Sequence, residues 1–224
     1  MKIYAVPPRV DAVLFDMDST LYTNERYAAF QRESLIRRFA ERRGLPFEAA
    51  LSEVEAYQSA WGRARGGAQI SLGNTFRAFG ISIKESAAWR EELYEPSLFL
   101  APDRRLKNAL EALKGPQARG RALVVITNNP VLVAQKTLAA LGAADCFSVI
   151  LGLDSCMVSK PHEAPFLKAA ELCGAETGSC LAVGDRYDLD IAVPLRLGMG
   201  GILVDGVEDI YRLPALKLPA GGRS

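Results

Sequence analysis

The sequence predicts an α/β protein: a doubly wound parallel sheet interrupted by one all-helical insertion. Three observations carry this. Short, near-continuous apolar blocks recur along the chain, helical stripes lie between the later blocks, and one long stretch near the N-terminus holds helical stripes only. Apolar runs without alternation suit strands buried on both faces, as in a parallel sheet covered by helices.

The first block covers residues 10–15, and the others cover 122–126, 147–151, 180–183 and 201–204. Between the later blocks, Val131, Ala134, Leu138 and Leu141 recur at helical spacing, with Pro130 placed for a first turn and Gly142 for a stop. Phe166, Ala170 and Cys173 mark another helix over 163–173, closed by Gly174. This alternation of strand and helix gives the doubly wound core. From 24 to 94 no strand pattern appears. Ala28/Ala29, Leu35/Ile36 and Phe39/Ala40 form one stripe ended by Gly44, and Ala50, Val54, Tyr57 and Trp61 form a second. Shorter helices are expected over 72–79 and 86–94. The boundaries give a core of 1–22 and 97–224 and a helical domain of 23–96. Residues 213–224, rich in Pro and Gly, are expected to form a loose tail.

Composition excludes several classes of protein. Of 224 residues, 49% are hydrophobic and 24% charged, which argues against disorder. A net charge of +1 provides no global field to draw in a nucleic acid polymer. No apolar run approaches the ~20 residues of a membrane helix. Pro7, Pro8, Arg9 and Asp11 interrupt any secretory apolar region at the N-terminus. Four cysteines without a CxxC pair read as free thiols in a reducing, cytoplasmic setting. The single histidine, His162, argues against a His-based triad or a His-rich metal site. Oligomeric state leaves no signal in the sequence.

Ligands of an open parallel sheet bind beyond the carboxyl ends of its strands. After the first block comes Asp16-Met17-Asp18-Ser19-Thr20, and after the second Thr127-Asn128-Asn129. The third is followed by Ser159-Lys160-Pro161, and the fourth by Gly184-Asp185, with Asp188 and Asp190 close behind. Clustered carboxylates repel one another unless a cation neutralises them. Mg²⁺, a hard ion that takes oxygen ligands, fits best where phosphate is also present. Taken singly, each residue has an ordinary reading: an Asp at a strand end caps a turn, Asp188 suits a helix N-cap, and Lys160 suits a solvated charge. Four such elements at successive strand ends are harder to dismiss.

Together they resemble the motifs of the haloacid dehalogenase superfamily. DxDx[TV] matches Asp16 to Thr20, the strand-ending Ser or Thr matches Thr127, the Lys followed by Pro matches Lys160-Pro161, and GDxxxxD matches Gly184-Asp185 through Asp190. The resemblance spans 9–22 and 97–210 and implies a Rossmann-like core with a C1-type helical cap. It implies Mg²⁺-dependent hydrolysis of a small phosphomonoester through an aspartyl-phosphate. By this resemblance Asp16 is the nucleophile, and Asp18 protonates the leaving oxygen and then takes a proton from water. Asp16, Asp185 and the backbone carbonyl of Asp18 hold Mg²⁺. Thr127 and the Asn128 amide bind phosphoryl oxygens, and Lys160 neutralises nucleophile and phosphate. Asp190 orients Lys160 or a metal-bound water, with Asp188 as a further supporting acid. An acid at position 18 sets the chain apart from the dehalogenase branch, whose halide leaving group needs no proton. Lys84, the only lysine of the insertion, shows no sign of the Schiff-base role that phosphonate cleavage needs.

A finer likeness is to the pyrimidine 5′-nucleotidase-like subgroup. Leu45-Pro46, Tyr57, Trp61-Gly62, Gly66-Gly67 and Lys160-Pro161-His162 carry it. It makes a nucleoside 5′-monophosphate the first substrate expected. The alternatives are a sugar-phosphate phosphatase, a phosphomutase, or a non-catalytic regulatory protein on the same fold. In the enzyme readings the partner is a small phosphorylated metabolite. Arg63, Asn74 and Arg77, in or beside the glycine-rich stretch 66–74, are the cap residues expected to face substrate. The arginines of 26–43 read as a solvated helix face.

Overall fold

The computed structural model describes residues 1–115 and 121–221. Its strands are β1 Lys2–Ala5, β2 Ala12–Phe15, β3 Ala122–Ile126, β4 Val149–Leu151, β5 Cys180–Gly184 and β6 Gly200–Leu203. Helices α1 Glu25–Arg43, α2 Phe47–Arg63, α3 Leu72–Ala78 and α4 Ile83–Leu93 follow β2. The rest are α5 Arg104–Lys114, α6 Val131–Ala140, α7 Leu153–Cys156, α8 Ala164–Cys173, α9 Ala192–Arg196 and α10 Val207–Arg212.

The strands form one sheet in the order β1-β6-β5-β2-β3-β4, parallel throughout except for β1 against β6. Side chains alternate across it. Val13, Phe15, Leu123, Val125, Leu181 and Val183 pack on one face with Leu106 and Leu110 of α5 and Leu138 of α6. Ala12, Leu14, Val124 and Ile126 pack on the other with Phe166, Ala169 and Ala170 of α8. The register sets the site: Phe15 pairs with both Val125 and Val183. The residues that follow these three strands therefore emerge level, at the point where the winding reverses about β2.

Strand β1 has no counterpart among the expected apolar blocks. It is an edge strand with little burial, and its Ile3 is 48% exposed, so no apolar run marks it. The tail also differs from expectation. Leu213–Leu216 form a 3₁₀ turn with Leu213 fully buried, and Leu216 and Leu218 pack on the core. Arg121 holds the carbonyls of Leu218 and Pro219 at 2.5 and 2.8 Å. Pro and Gly content hid these apolar anchors; residues 222–224 lie outside the described residues.

The insertion folds on its own apolar centre. Leu35, Ile36 and Phe39 of α1 meet Ala50 and Val54 of α2, Phe76 of α3 and Trp89 of α4, and Val133 of α6 joins them from the core. Helix α1 starts where the Asn24 side chain accepts the Tyr27 N–H and stops where Gly44 turns left-handed at φ +63°. Asn24 also donates to the Phe99 carbonyl at 2.8 Å, which ties the outgoing linker to the returning one. Tyr57 and Trp61 sit half-buried at the margin, Tyr57 against Phe79 and Trp61 beneath Arg65. Arg32, Arg37, Arg38 and Arg42 pair with Glu55, Glu33, Glu92 and Glu85 in exposed contacts, each worth about 0–1 kcal/mol. No helix among the described residues is long and apolar enough to cross a membrane. No two of the four cysteines are joined in a disulfide.

Candidate active site

Beyond β2 the chain turns tightly. The N–H groups of Thr20 and Leu21 donate to the Met17 carbonyl, and Ser19 takes a left-handed φ of +60°, a conformation that costs about 1–2 kcal/mol. Met17 is fully buried and anchors the turn between Asp16 and Asp18.

Asp16 accepts from Thr20 Oγ1 at 3.2 Å and from Lys160 Nζ at 2.5 Å. Lys160 is 2% exposed and lies between Asp16 and Asp190, the latter at 2.6 Å. Burial alone would push its ammonium toward the neutral form. The charges of Asp16 and Asp190 overcome this and hold its pKa above the ordinary lysine value. The Asn128 side chain clamps the Lys160 backbone, accepting its N–H at 2.7 Å and donating to its carbonyl at 3.2 Å. That side chain therefore ties the turn after β3 to the lysine.

Asp190 also accepts the Arg186 N–H at 3.0 Å, so both its oxygens are engaged. A Cβ at Gly184 would fall 2.4 Å from Asp190 Cβ, so this close approach requires glycine. Asp185 is half-buried; burial, then the charges of Asp16 and Asp190, push its pKa up to about 7. Asp16, Asp185 and Asp190 each bring a carboxylate oxygen within 4.8 Å of the others. This oxygen-only set suits Mg²⁺.

Asp18 is not part of that three-acid set and has partners of its own. One oxygen accepts from the Tyr22 hydroxyl and from Gln31 Nε2 at 3.3 Å, and the other accepts from Asn129 Nδ2 at 2.8 Å. Burial, then the Asp16 charge, raises its pKa above the usual carboxylate value. Gln31 belongs to α1, so the insertion touches this acid directly. Thr127 is buried, with its Oγ1 accepting the Asn129 N–H at 3.1 Å. Asp188 lies exposed on the irregular turn Tyr187–Ile191, outside the cluster.

A cavity of about 490 Å³ opens from Asp18, Asn128 and Asn129 toward the insertion. Asn74 lines it and accepts from Ser159 Oγ at 3.2 Å. Arg63 and Arg77 do not line it: both are exposed, and Arg63 donates to Ser59 on its own helix. Arg32, Arg90 and Arg186 line it instead. Sequence reasoning placed Arg32 on a solvated face and missed Arg90 and Arg186, along with Tyr22, Gln31 and Asn129. Arg90 left a signal, since it is a charge on the buried face that Ser86, Ala87 and Trp89 mark on α4.

Comparison with known proteins agrees with this geometry. The chain is 36% identical over 124 residues to the phosphoglycolate phosphatase of Neisseria gonorrhoeae, covering 52% of this chain and 51% of the relative. It is 30% identical over 146 residues to that of Escherichia coli K12, covering 57% and 55%. The matches thus span about half the length of these relatives. Among solved structures, a HAD phosphatase from Thermococcus onnurineus superimposes with a TM-score of 0.61 at 20% identity, covering 93% of this chain and 98% of that one. The family model described as "haloacid dehalogenase-like hydrolase" matches residues 10–198, a span that contains the carboxyl ends of β2, β3, β4 and β5. By that match the chain belongs to the haloacid dehalogenase-like hydrolase family.

Proposed function

We propose that the chain is a Mg²⁺-dependent phosphatase that hydrolyses a small phosphomonoester through an aspartyl-phosphate on Asp16. The observation that carries this reading is the division of labour between two neighbouring acids. Asp16 is paired with a buried ammonium, which suits an anionic nucleophile, while Asp18 is held apart with a raised pKa, which suits a proton donor. An Asp16 oxygen attacks phosphorus, the bond from phosphorus to the alcohol oxygen breaks, and Asp18 gives that oxygen its proton. Asp18 then takes a proton from water, whose oxygen attacks phosphorus and frees Asp16. Lys160 offsets charge on Asp16 and the phosphoryl group, Asp190 holds Lys160 in place, and Thr127 and the Asn128 main chain receive phosphoryl oxygens. Asp16, Asp185 and the Asp18 carbonyl would hold Mg²⁺, which would supply further positive charge against those oxygens.

Sugar-type or hydroxy-acid phosphates fit better than nucleoside monophosphates. The curated relatives are phosphoglycolate phosphatases. Tyr94 is the one aromatic residue lining the cavity among the described residues, so little stands ready to stack a base. Phosphate release should be measured with Mg²⁺ across phosphoglycolate, sugar phosphates, nucleoside monophosphates and nitrophenyl phosphate. Sugar or hydroxy-acid esters are expected to lead, and nucleotides ranking first would overturn this choice. Transfer to a second hydroxyl without free phosphate would mark a phosphomutase. Excess chelator should abolish turnover and Mg²⁺ should restore it; undiminished activity in chelator would remove the metal.

A pH dependence follows from Asp185. In metal-free protein its raised pKa contributes stability that is full below the unfolded value of about 3.9 and is lost as pH rises through about 7. Mg²⁺ displaces that proton and gains as pH rises. The increase in Tm on adding Mg²⁺ is therefore expected to be larger at pH 8 than at pH 6. An increase independent of pH would place the metal elsewhere.

A further inference from the structure

Among the described residues, the chemistry above leaves one buried cation unused. Arg90 is 5% exposed and lines the cavity from α4. Its Nη1 donates to the Ser86 carbonyl at 2.7 Å and to the Ser86 hydroxyl, both neutral groups. Among the described residues no carboxylate forms an ion pair with it. Arginine stays charged in proteins, and a buried charge calls for an anion. Tyr94 is the other hydrogen-bond partner of Arg90, and Asp18, the one acid lining the cavity among the described residues, acts on it without forming an ion pair and is already committed to Tyr22, Gln31 and Asn129. Opposite Arg90, Gly73 leaves space: a Cβ there would stand 3.1 Å from Arg90 Nη2. The other two arginines of the lining differ from it. Arg32 is matched by Glu55, whereas Arg186, exposed on the core side, makes no ion pair among the described residues. The wall beyond the reacting centre is therefore positive, with one bidentate donor held rigid by burial.

We infer that the alcohol half of the substrate carries a second anionic group, a carboxylate or a phosphate, and that Arg90 receives it. This rests on the phosphatase reading of the Asp16 site. A guanidinium binds either anion through two parallel N–H donors, which fixes orientation as well as charge. The alcohol would lie along the cavity between Asp18 and Arg90, its reacting oxygen toward Asp18.

The test uses matched substrates that differ only in the second anion. For a carboxylate the pair is 3-phosphoglycerate and glycerol 3-phosphate; for a phosphate it is fructose 1,6-bisphosphate and fructose 6-phosphate. In at least one pair the anionic member is expected to have a kcat/KM about tenfold or more higher, the scale of a hydrogen bond to a charged group, and the pair that shows it identifies the anion. Arg90→Gln should collapse that ratio toward one. Arg90→Lys, which keeps the charge but loses the fork, should retain part of it and serves if the first variant fails to fold. Ratios near one in the wild-type enzyme, or an unchanged ratio in Arg90→Gln, overturn the inference. Calorimetry with Mg²⁺ separates this from failure of the phosphatase reading, because it needs no turnover. Phosphonoacetate should bind at least about tenfold more tightly than ethylphosphonate if a carboxylate is the anion, and methylenediphosphonate should do so if it is a phosphate. Equal binding of all three sinks the inference even if phosphate is released from other esters. If no ester releases phosphate, the phosphatase reading fails while the binding result still decides Arg90.

Discussion

Asp16→Asn is expected to lower turnover of nitrophenyl phosphate by about 10⁴-fold or more, the scale on which deletion of a covalent nucleophile acts. The substitution keeps the size of the side chain and an oxygen for the Thr20 hydroxyl. It removes the anion that faces Lys160 at 2.5 Å and that is proposed above to attack phosphorus. No phosphoenzyme should form. Asp18→Asn makes the informative contrast. Its nucleophile is intact, and nitrophenolate is a good enough leaving group to depart without a donated proton. The acceptor for the proton of water is gone, so the second step should stall and phosphoenzyme should accumulate. Rapid-quench measurement of labelled protein distinguishes the two. Near-normal turnover in Asp16→Asn would remove the nucleophile assignment altogether.

Lys160→Ala should cost stability as well as activity. Removing one partner of a buried ion pair typically costs about 3–5 kcal/mol, because the charges left behind stay unpaired. Here two carboxylates, Asp16 and Asp190, would be left in the space the ammonium filled. Burial already raises the pKa of Asp190, with the Lys160 charge opposing it. Without that charge its pKa rises further, and protonation relieves the repulsion as pH falls. The stability deficit in urea titrations is therefore expected to be larger at pH 8 than at pH 5. Adding Asp190→Asn should recover part of the stability but none of the turnover, since the charge over the phosphoryl group remains missing. A deficit that ignored both pH and the second substitution would mean that lost packing, not charge, accounts for it.

The reach of the sequence is clearest at the strand ends. Apolar blocks buried on both faces announce themselves, and the level register of β2, β3 and β5 brings Asp16, Thr127 and Asp185 to one edge. Strand β1 was illegible because an exposed edge needs no apolar run. The hydrogen bonds between positions 128 and 160 went unread because they are a tertiary fact that no local pattern records. In the insertion, spacing located the helices but not which face meets the core. Arg63 and Arg77 stood out beside glycines, yet Arg90, one charge among buried neighbours, is the buried arginine among the three that line the cavity. Proline and glycine misled in the last segment, where Leu213 anchors the chain.

The glycine that closes β5 has a consequence for reading mutational data. No atom of a Gly184 side chain exists to touch substrate, yet a single methyl there would stand 2.4 Å from Asp190 Cβ and 2.6 Å from its carboxyl carbon. Displacing Asp190 loosens the support of Lys160, and through it the charge balance at Asp16. The position converts volume into voltage: a steric insult of one carbon arrives at the nucleophile as an electrostatic one. In a saturation library scored by activity, position 184 would be as intolerant as the acids themselves, and ranking residues by intolerance would count as chemical a site whose whole contribution is to be empty.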